Sequence, residues 1–210
     1  MSYKDIRKDY AKTNLNKEDT NADPLLQFKN WFDEAVNAKI EDVNAMCLAT
    51  VGGNNRPSTR IVLLKEITHK GIVFFTNYKS RKGEEINLNP FASICFYWTE
   101  LERQVRMEGA LQKISREESV AYFDSRPLQS RISAIVSNQS QVISDKSILE
   151  NKVNELEKTP DKVICPESWG GYELVIDRAE FWQGRPNRLH DRIMYSMNDK
   201  SIWEKCILAP

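Results

Sequence analysis

The chain has 210 residues, and its 30 Lys and Arg are balanced by 30 Asp and Glu, so the formal charge is zero. That balance argues against a general polyanion binder, because non-specific nucleic-acid affinity needs an excess of basic surface. Its 40% hydrophobic and 29% charged residues describe an ordinary globular protein, and no apolar run approaches the roughly 20 residues that span a bilayer.

Residues 1–22 are polar and charged without periodicity and are expected to form a mobile arm, with residues 23–210 as a single domain. The opening MSYKDIRKDY lacks an apolar core of the kind that directs secretion. Cys47, Cys95, Cys165 and Cys206 are scattered without a CxxC pair, and three of them lie in apolar strand-like runs. Buried reduced thiols, no metal site and a cytoplasmic location are therefore expected.

Asp23-Pro24 supplies an N-cap and a first-turn proline. Leu25, Phe28, Trp31, Phe32 and Ala35 follow at helical spacing and predict a helix over about 24–38. Strands are predicted at 45–51, 56–67 and 72–77, separated by the turns GGNN and THKG. SRKGEEINLNP (80–90) reads as a short helix opened by Ser80 and closed before Pro90. FASICFYWTE and ERQVRMEGALQKI form a hairpin, and Ser115 with Glu118 makes a capping box that opens a helix over SREESVAYFDSR. A further helix at about 145–158 precedes the last strands, GYELVIDRAEFWQG, RLHDRIMYSM and SIWEKCILA. This order predicts an α+β fold, a mostly antiparallel β-barrel with surrounding helices. Neither βαβ units nor GxGxxG occur, which disfavours a Rossmann fold.

Several stretches gather cations with hydroxyls or aromatics. RIVLLK brackets four apolar residues with Arg60 and Lys65, which point to opposite faces if the stretch is a strand. It reads as a core strand with charged ends, or as two cations serving two ligands. In TNYKSRKGEEI, Thr76 ends a strand while Ser80, Arg81 and Lys82 open a helix. Free N–H groups and the helix dipole favour an anion there, a solvated helix start being the alternative. YFDSRPLQS places Tyr122 and Arg126 on one helix face, with Ser130 just beyond Pro127. A phenol, a guanidinium and a hydroxyl suit a small phosphate monoester, or belong to a plain surface helix end. FWQGRPNRLHDR (181–192) packs Arg185, Arg188, Arg192 and His190 beside Phe181 and Trp182. It is either a strand end with snorkelling cations or the wall of a pocket for something flat and anionic.

RIVLLK, FFTNYKSRK, LERQV, YFDSRP followed by SRISAIVSNQS, and FWQGRPNRLHDR ending in LAP occur in the order found in the pyridoxamine 5′-phosphate oxidase family. The chain resembles that family over nearly its whole length. The resemblance implies an FMN-binding split β-barrel and a homodimer with two FMN sites built from both subunits. It implies oxidation of pyridoxine or pyridoxamine 5′-phosphate by oxygen to pyridoxal 5′-phosphate. Hydrogen peroxide is released, with ammonia from the amine. Neither nucleic acid nor a membrane is an expected partner.

By resemblance the FMN set is Arg60, Ile61, Val62, Leu63, Leu64 and Lys65, with Phe75, Thr76, Arg81, Lys82, Gln104, Gln139, Ser140, Trp182 and Arg192. Arg60, Arg81 and Lys82 would face the FMN phosphate. The substrate set is Lys65, Tyr122, Arg126 and Ser130 around the substrate phosphate, with Arg188, Leu189 and His190 at the reacting end. Arg188 and His190 are the catalytic candidates and, with Arg192, are expected on one face of a strand. Arg7, Lys8, Asp9 and Tyr10 resemble a family segment that closes over substrate. The alternatives are another split-barrel flavin oxidoreductase, or a non-catalytic module that binds FMN or pyridoxal phosphate.

Overall fold

The computed structural model describes residues 2–5 and 9–210. Arg7 and Lys8, two of the expected arm residues, lie outside the described residues. The fold is α+β, a curled antiparallel sheet with helices packed around it. In chain order the elements are α1 (Pro24–Asn37), β1 (Ala45–Val51), β2 (Pro57–Leu63), β3 (Glu66–Ile67), β4 (Gly71–Asn77) and α2 (Arg81–Leu88). They continue with β5 (Phe91–Trp98), β6 (Arg103–Lys113), α3 (Arg116–Ser125), α4 (Leu128–Val136), α5 (Ser147–Glu157), β7 (Trp169–Gln183), β8 (Asp191–Met197) and β9 (Trp203–Ile207).

The nine strands join in the order β2-β1-β5-β6-β7-β4-β3, and β8 and β9 branch from β7. The branch exists because β7 is 15 residues long. Its first half pairs with β4, its second half with β8, and β6 runs along the other edge. Between the halves the register with β6 slips, leaving Asp177 opposite no residue, so Asp177 and Arg178 both face out. Such a bulge bends the strand and lets one sheet turn in two directions. Gly109 is required there, since a Cβ would sit 2.0 Å from the Val175 carbonyl oxygen. Closure comes at the end of β2. Leu64 N–H donates to Asn44 beside β1, and the next residue, Lys65, donates to Val73 of β4.

The concave face carries the core, with Met46, Leu48, Phe74, Ile94, Phe96, Val105, Met107, Leu174 and Phe181 all buried. Helix α1 packs into it because Leu25, Phe28, Trp31 and Ala35 recur on one face. Phe28 meets Phe96 at 5.0 Å and Trp31 meets Phe181 edge-on at 5.3 Å. A second cluster of Phe123, Ile132, Val136, Val163, Cys165 and Trp169 lies beneath α3 and α4.

Three expectations need correction. The pattern predicts no helix at 128–136, yet α4 forms there, because Pro127 ends α3 and also opens a new helix whose Ile132 and Val136 are buried. The predicted strand from 188 begins only at Asp191. Pro186 starts a single 3-10 turn in which Asn187 and Arg188 adopt φ of 56° and 62°. Among the cysteines, Cys165 is buried, Cys47 and Cys95 are half-buried, and Cys206 is exposed; all four are free thiols.

The described part of the arm lies on the domain. Ala11 and Lys12 N–H groups donate to the buried Glu102 carboxylate, and Leu15 N–H donates to Asp191. Lys205 Nζ donates to the Lys17 and Thr20 carbonyls, and Tyr195 Oη to the Asn21 carbonyl.

Candidate functional site

The end of β2, the end of β4, the start of α2 and the α3–α4 junction enclose a cavity of about 1020 Å³. From the expected cofactor set, Arg60, Ile61, Val62, Leu63, Lys65, Phe75, Thr76, Arg81, Lys82, Gln139 and Ser140 line it. From the substrate set, Lys65, Tyr122, Arg126 and Ser130 line it. Leu64 does not, being buried in the main core. The expected separation of Arg60 from Lys65 by strand parity fails. Lys65 lies past the end of β2, where the chain crosses to β4, so both cations reach one cavity.

One end of the cavity is built for an anion. Ser80 caps α2, its Oγ accepting from Gly83 N–H. A Cβ on Gly83 would stand 2.1 Å from the Tyr78 carbonyl oxygen, so glycine lets this helix start press against β4's exit. Lys82 is only 8% exposed, and its ammonium donates to Thr76 Oγ1 (3.1 Å), Ser80 Oγ (3.3 Å) and Gln139 Oε1 (2.9 Å). No carboxylate pairs with it among the described residues. Burial, and then the charge of Arg60, pull its pKa down to about 8.

Behind Lys82 the Glu85 carboxylate organises the arginines. It accepts from Thr50, Ser58, Arg60 (3.0 Å) and Arg81 (2.9 Å). Burial pushes this carboxyl up, but hydrogen bonds from Ser58, Thr50, Arg81 and Arg60 more than reverse that, to a pKa of about 2. Both terminal nitrogens of Arg60 are engaged, with Leu48 O, Thr50, Ser58 and Glu85. Arg81 stays 66% exposed in its side chain and is the freer of the two.

The other end of the cavity is aromatic. Tyr122 stacks on Phe75 with ring centroids 4.0 Å apart, and Trp169 stacks on Phe75 at 5.3 Å. The Arg126 guanidinium lies 4.9 Å above the Trp169 ring. Arg126 Nη1 is buried without a hydrogen-bond partner, and burial lowers the pKa of the group. The break at Pro127 places Arg126 at the end of α3 and Ser130 in the first turn of α4. Trp169 was not among the residues expected at the site, although SWGG, an aromatic before two glycines at a strand start, marks a close backbone approach.

The remaining candidates form a second group that does not line this cavity. Gln104, Trp182 and Arg192 are register partners across β6, β7 and β8, side by side on the outward face of the sheet. Arg192 grips the buried Glu180 through Nε (2.9 Å) and Nη2 (3.1 Å) and donates to the Ala209 carbonyl. Arg106 also pairs with Glu180. His190 sits 4.7 Å from Trp182, and Tyr10 packs edge-on against both rings. The His190 Nδ1 accepts from Arg185 N–H (3.1 Å), which puts the ring proton on Nε2. Burial, then Arg188, lower the pKa of His190.

Arg188 and His190 do not share a strand face as expected. The Pro186 turn holds Arg188 and Leu189 exposed ahead of β8, because proline cannot extend the strand ladder and Asn187 accepts positive φ. Asp9 is exposed as well. Arg185 proves to be a tether: besides holding His190, its side chain bonds Thr13 O and Asn14 and lies 3.4 Å from Asp191. Among the described residues no group of three or more His, Cys, Asp and Glu could hold a metal, and no helix is long and apolar enough to cross a membrane.

A model of the family described as pyridoxamine 5′-phosphate oxidase matches residues 32–159, and one described as the pyridoxine 5′-phosphate oxidase C-terminal dimerisation region matches residues 169–210. The pyridoxine/pyridoxamine 5′-phosphate oxidase of Herminiimonas arsenicoxydans is 49% identical, covering 100% of both chains. That of Paraburkholderia phytofirmans is 52% identical over 100% of this chain and 99% of its own. Among solved structures, PhzG from Burkholderia lata 383, in complex with tetrahydrophenazine-1-carboxylic acid, superposes with a TM-score of 0.90 at 27% identity. The alignment covers 95% of this chain and 99% of PhzG, so the fold is the α+β split barrel.

Proposed function

The chain belongs to the pyridoxamine 5′-phosphate oxidase family and is an oxidoreductase, and we propose that FMN is its cofactor and the two vitamin B6 phosphates its substrates. Pyridoxine or pyridoxamine 5′-phosphate is oxidised by oxygen to pyridoxal 5′-phosphate, with release of hydrogen peroxide and, from the amine, ammonia. The observation that carries this reading is a single cavity with two separate anion-ready ends. The reaction needs two phosphates held at once, and the cavity offers a buried ammonium without a carboxylate at one end and an unbonded guanidinium nitrogen at the other.

Lys82, Arg81 and the α2 start would hold the FMN phosphate, with Thr76 and Gln139 fixing Lys82 and Arg60 adding charge from behind. Arg126, Tyr122, Ser130 and Lys65 would hold the substrate phosphate. Gln104, Trp182, Arg192, Arg188, Leu189 and His190 face outward, away from their own chain's cavity. That division supports a homodimer in which each site joins the cavity of one subunit to the outward face of the other. The match to a dimerisation region over β7–β9 agrees.

The chemistry FMN supplies when bound is acceptance of two electrons from the substrate and their return to oxygen. The protein positions and polarises. His190, neutral and protonated at Nε2, donates a hydrogen bond to the substrate and does not act as a base there. Arg188 orients the ring and the C4′ substituent through its guanidinium N–H donors. Tyr10 closes over Trp182 and His190 and excludes water. On this reading residues 23–210 act as one domain with 1–22 as its arm, and the free thiols suit a reducing, cytoplasmic compartment.

The test is oxygen-dependent formation of pyridoxal 5′-phosphate from each substrate, with and without added FMN. FMN-dependent product with peroxide is expected. A yellow, flavin-loaded protein inert toward both substrates would overturn the activity. It would point to a different substrate or to a binding module.

A further inference from the structure

We propose that Trp169 is a positioning residue for the substrate phosphate, its indole serving as the platform that holds Arg126 and Tyr122 in place. The inference rests on Arg126, Tyr122 and Ser130 being the substrate-phosphate end of the cavity. Trp169 opens β7, pairs there with Asn77 of β4, and is 6% exposed. Its ring is parallel to Tyr122 within 9° and to Phe75 within 19°, and Phe123 braces it edge-on at 5.2 Å. Above that ring, 4.9 Å away, lies the Arg126 guanidinium.

Arg60 and Arg192 are held differently from Arg126. The first two are held by carboxylates, Glu85 and Glu180, which fix the fork but occupy its donors and offset part of its charge. Arg126 has no ion pair among the described residues, and its Nη1 makes no hydrogen bond. A ring face attracts a guanidinium through its quadrupole and takes up none of the N–H groups. The indole therefore aims Arg126 while leaving its charge and its in-plane donors for an anion. A carboxylate in that place would compete with the incoming phosphate. Parallel stacking on Phe75 at 4.0 Å and on Trp169 at 6.2 Å fixes the Tyr122 ring in the same step, so phenol and guanidinium share one support.

The experiment compares Trp169→Leu and Trp169→Phe with the wild-type holoenzyme. The readouts are KM and kcat for pyridoxine 5′-phosphate, the FMN dissociation constant by flavin fluorescence, and the melting temperature. Loss of a desolvated cation–π contact predicts KM raised roughly ten- to thirtyfold in Trp169→Leu. The same variant should keep kcat and FMN affinity within about twofold, and Trp169→Phe should recover most of the KM. An unchanged KM overturns the proposal. So does a rise in KM accompanied by a matching fall in FMN affinity and kcat, the mark of general packing loss, or a Trp169→Phe no better than Trp169→Leu. If wild-type protein turns over neither substrate, the proposed function fails on its own. Calorimetry of inorganic phosphate binding to the FMN-loaded proteins then decides: weaker binding by Trp169→Leu supports the platform, and equal binding sinks it.

Discussion

Lys82 is the residue whose chemistry is most exposed to test. Its ammonium is charged below a pKa of about 8 and neutral above it. A phosphate prefers the charged form, so FMN affinity should fall as pH rises past about 8, and a fluorescence titration across pH 7–10 reads this directly. Lys82→Met should bind FMN at least about tenfold more weakly at pH 7 and should flatten that fall. Glu85 has the opposite sign. Its folded pKa of about 2 lies below the ordinary 4.5, so its stabilisation is complete above 4.5 and disappears as pH falls toward 2. Wild-type protein should therefore lose melting temperature between pH 4.5 and 2 more steeply than Glu85→Gln. Lys82 was legible in the sequence because a strand end, a serine cap and two cations are all local. Glu85 and Trp169 were not, since their roles arise from partners in Thr50, Ser58 and Arg126, far away along the chain.

At the level of elements, what the sequence showed depended on whether a signal stayed within one segment. The spacing of Leu25, Phe28 and Trp31 placed α1, and the Ser115–Glu118 box placed α3, each to within a residue or two. Helix α4 escaped because Pro127 read as an end and turned out to be a beginning too. The strand predicted from Arg188 starts three residues late, because the turn begun at Pro186 holds Asn187 and Arg188 at positive φ. Gly184, just before that turn, lets the arm in: a Cβ there would lie 2.7 Å from the Tyr10 ring. Gly184→Ala should push Tyr10 off Trp182 and His190, raising the substrate KM several-fold while FMN affinity holds. An unaltered KM would show that the arm's seat has no part in binding. Gly109→Ala meets backbone instead of a movable ring and should cost at least about 2 kcal/mol of stability, read from denaturant melts.

Across the whole molecule, the candidate residues divide between a cavity and an outward sheet face. If sites form between subunits, a chain disabled in the cavity should be rescued by one disabled on the face. Lys82→Met and Trp182→Ala, each poorly active alone, are expected to regain roughly a quarter of wild-type activity when refolded together, because half the dimers are mixed and each has one intact site in two. Activity no greater than the average of the two parents would place the whole site within one chain. No periodicity in the sequence announces this division, which appears only when β6, β7 and β8 lie side by side. The dual membership of β7 carries a consequence for how the protein is made. Gly71 pairs with Val175 and Trp182 with Arg192, so the β4–β7 seam waits until about residue 175, and the outward row until about residue 192, has left the ribosome. At roughly 5–20 residues per second, the edges of β4 and β6 that β7 covers stand open for several seconds, the interval in which unpaired strand edges invite aggregation.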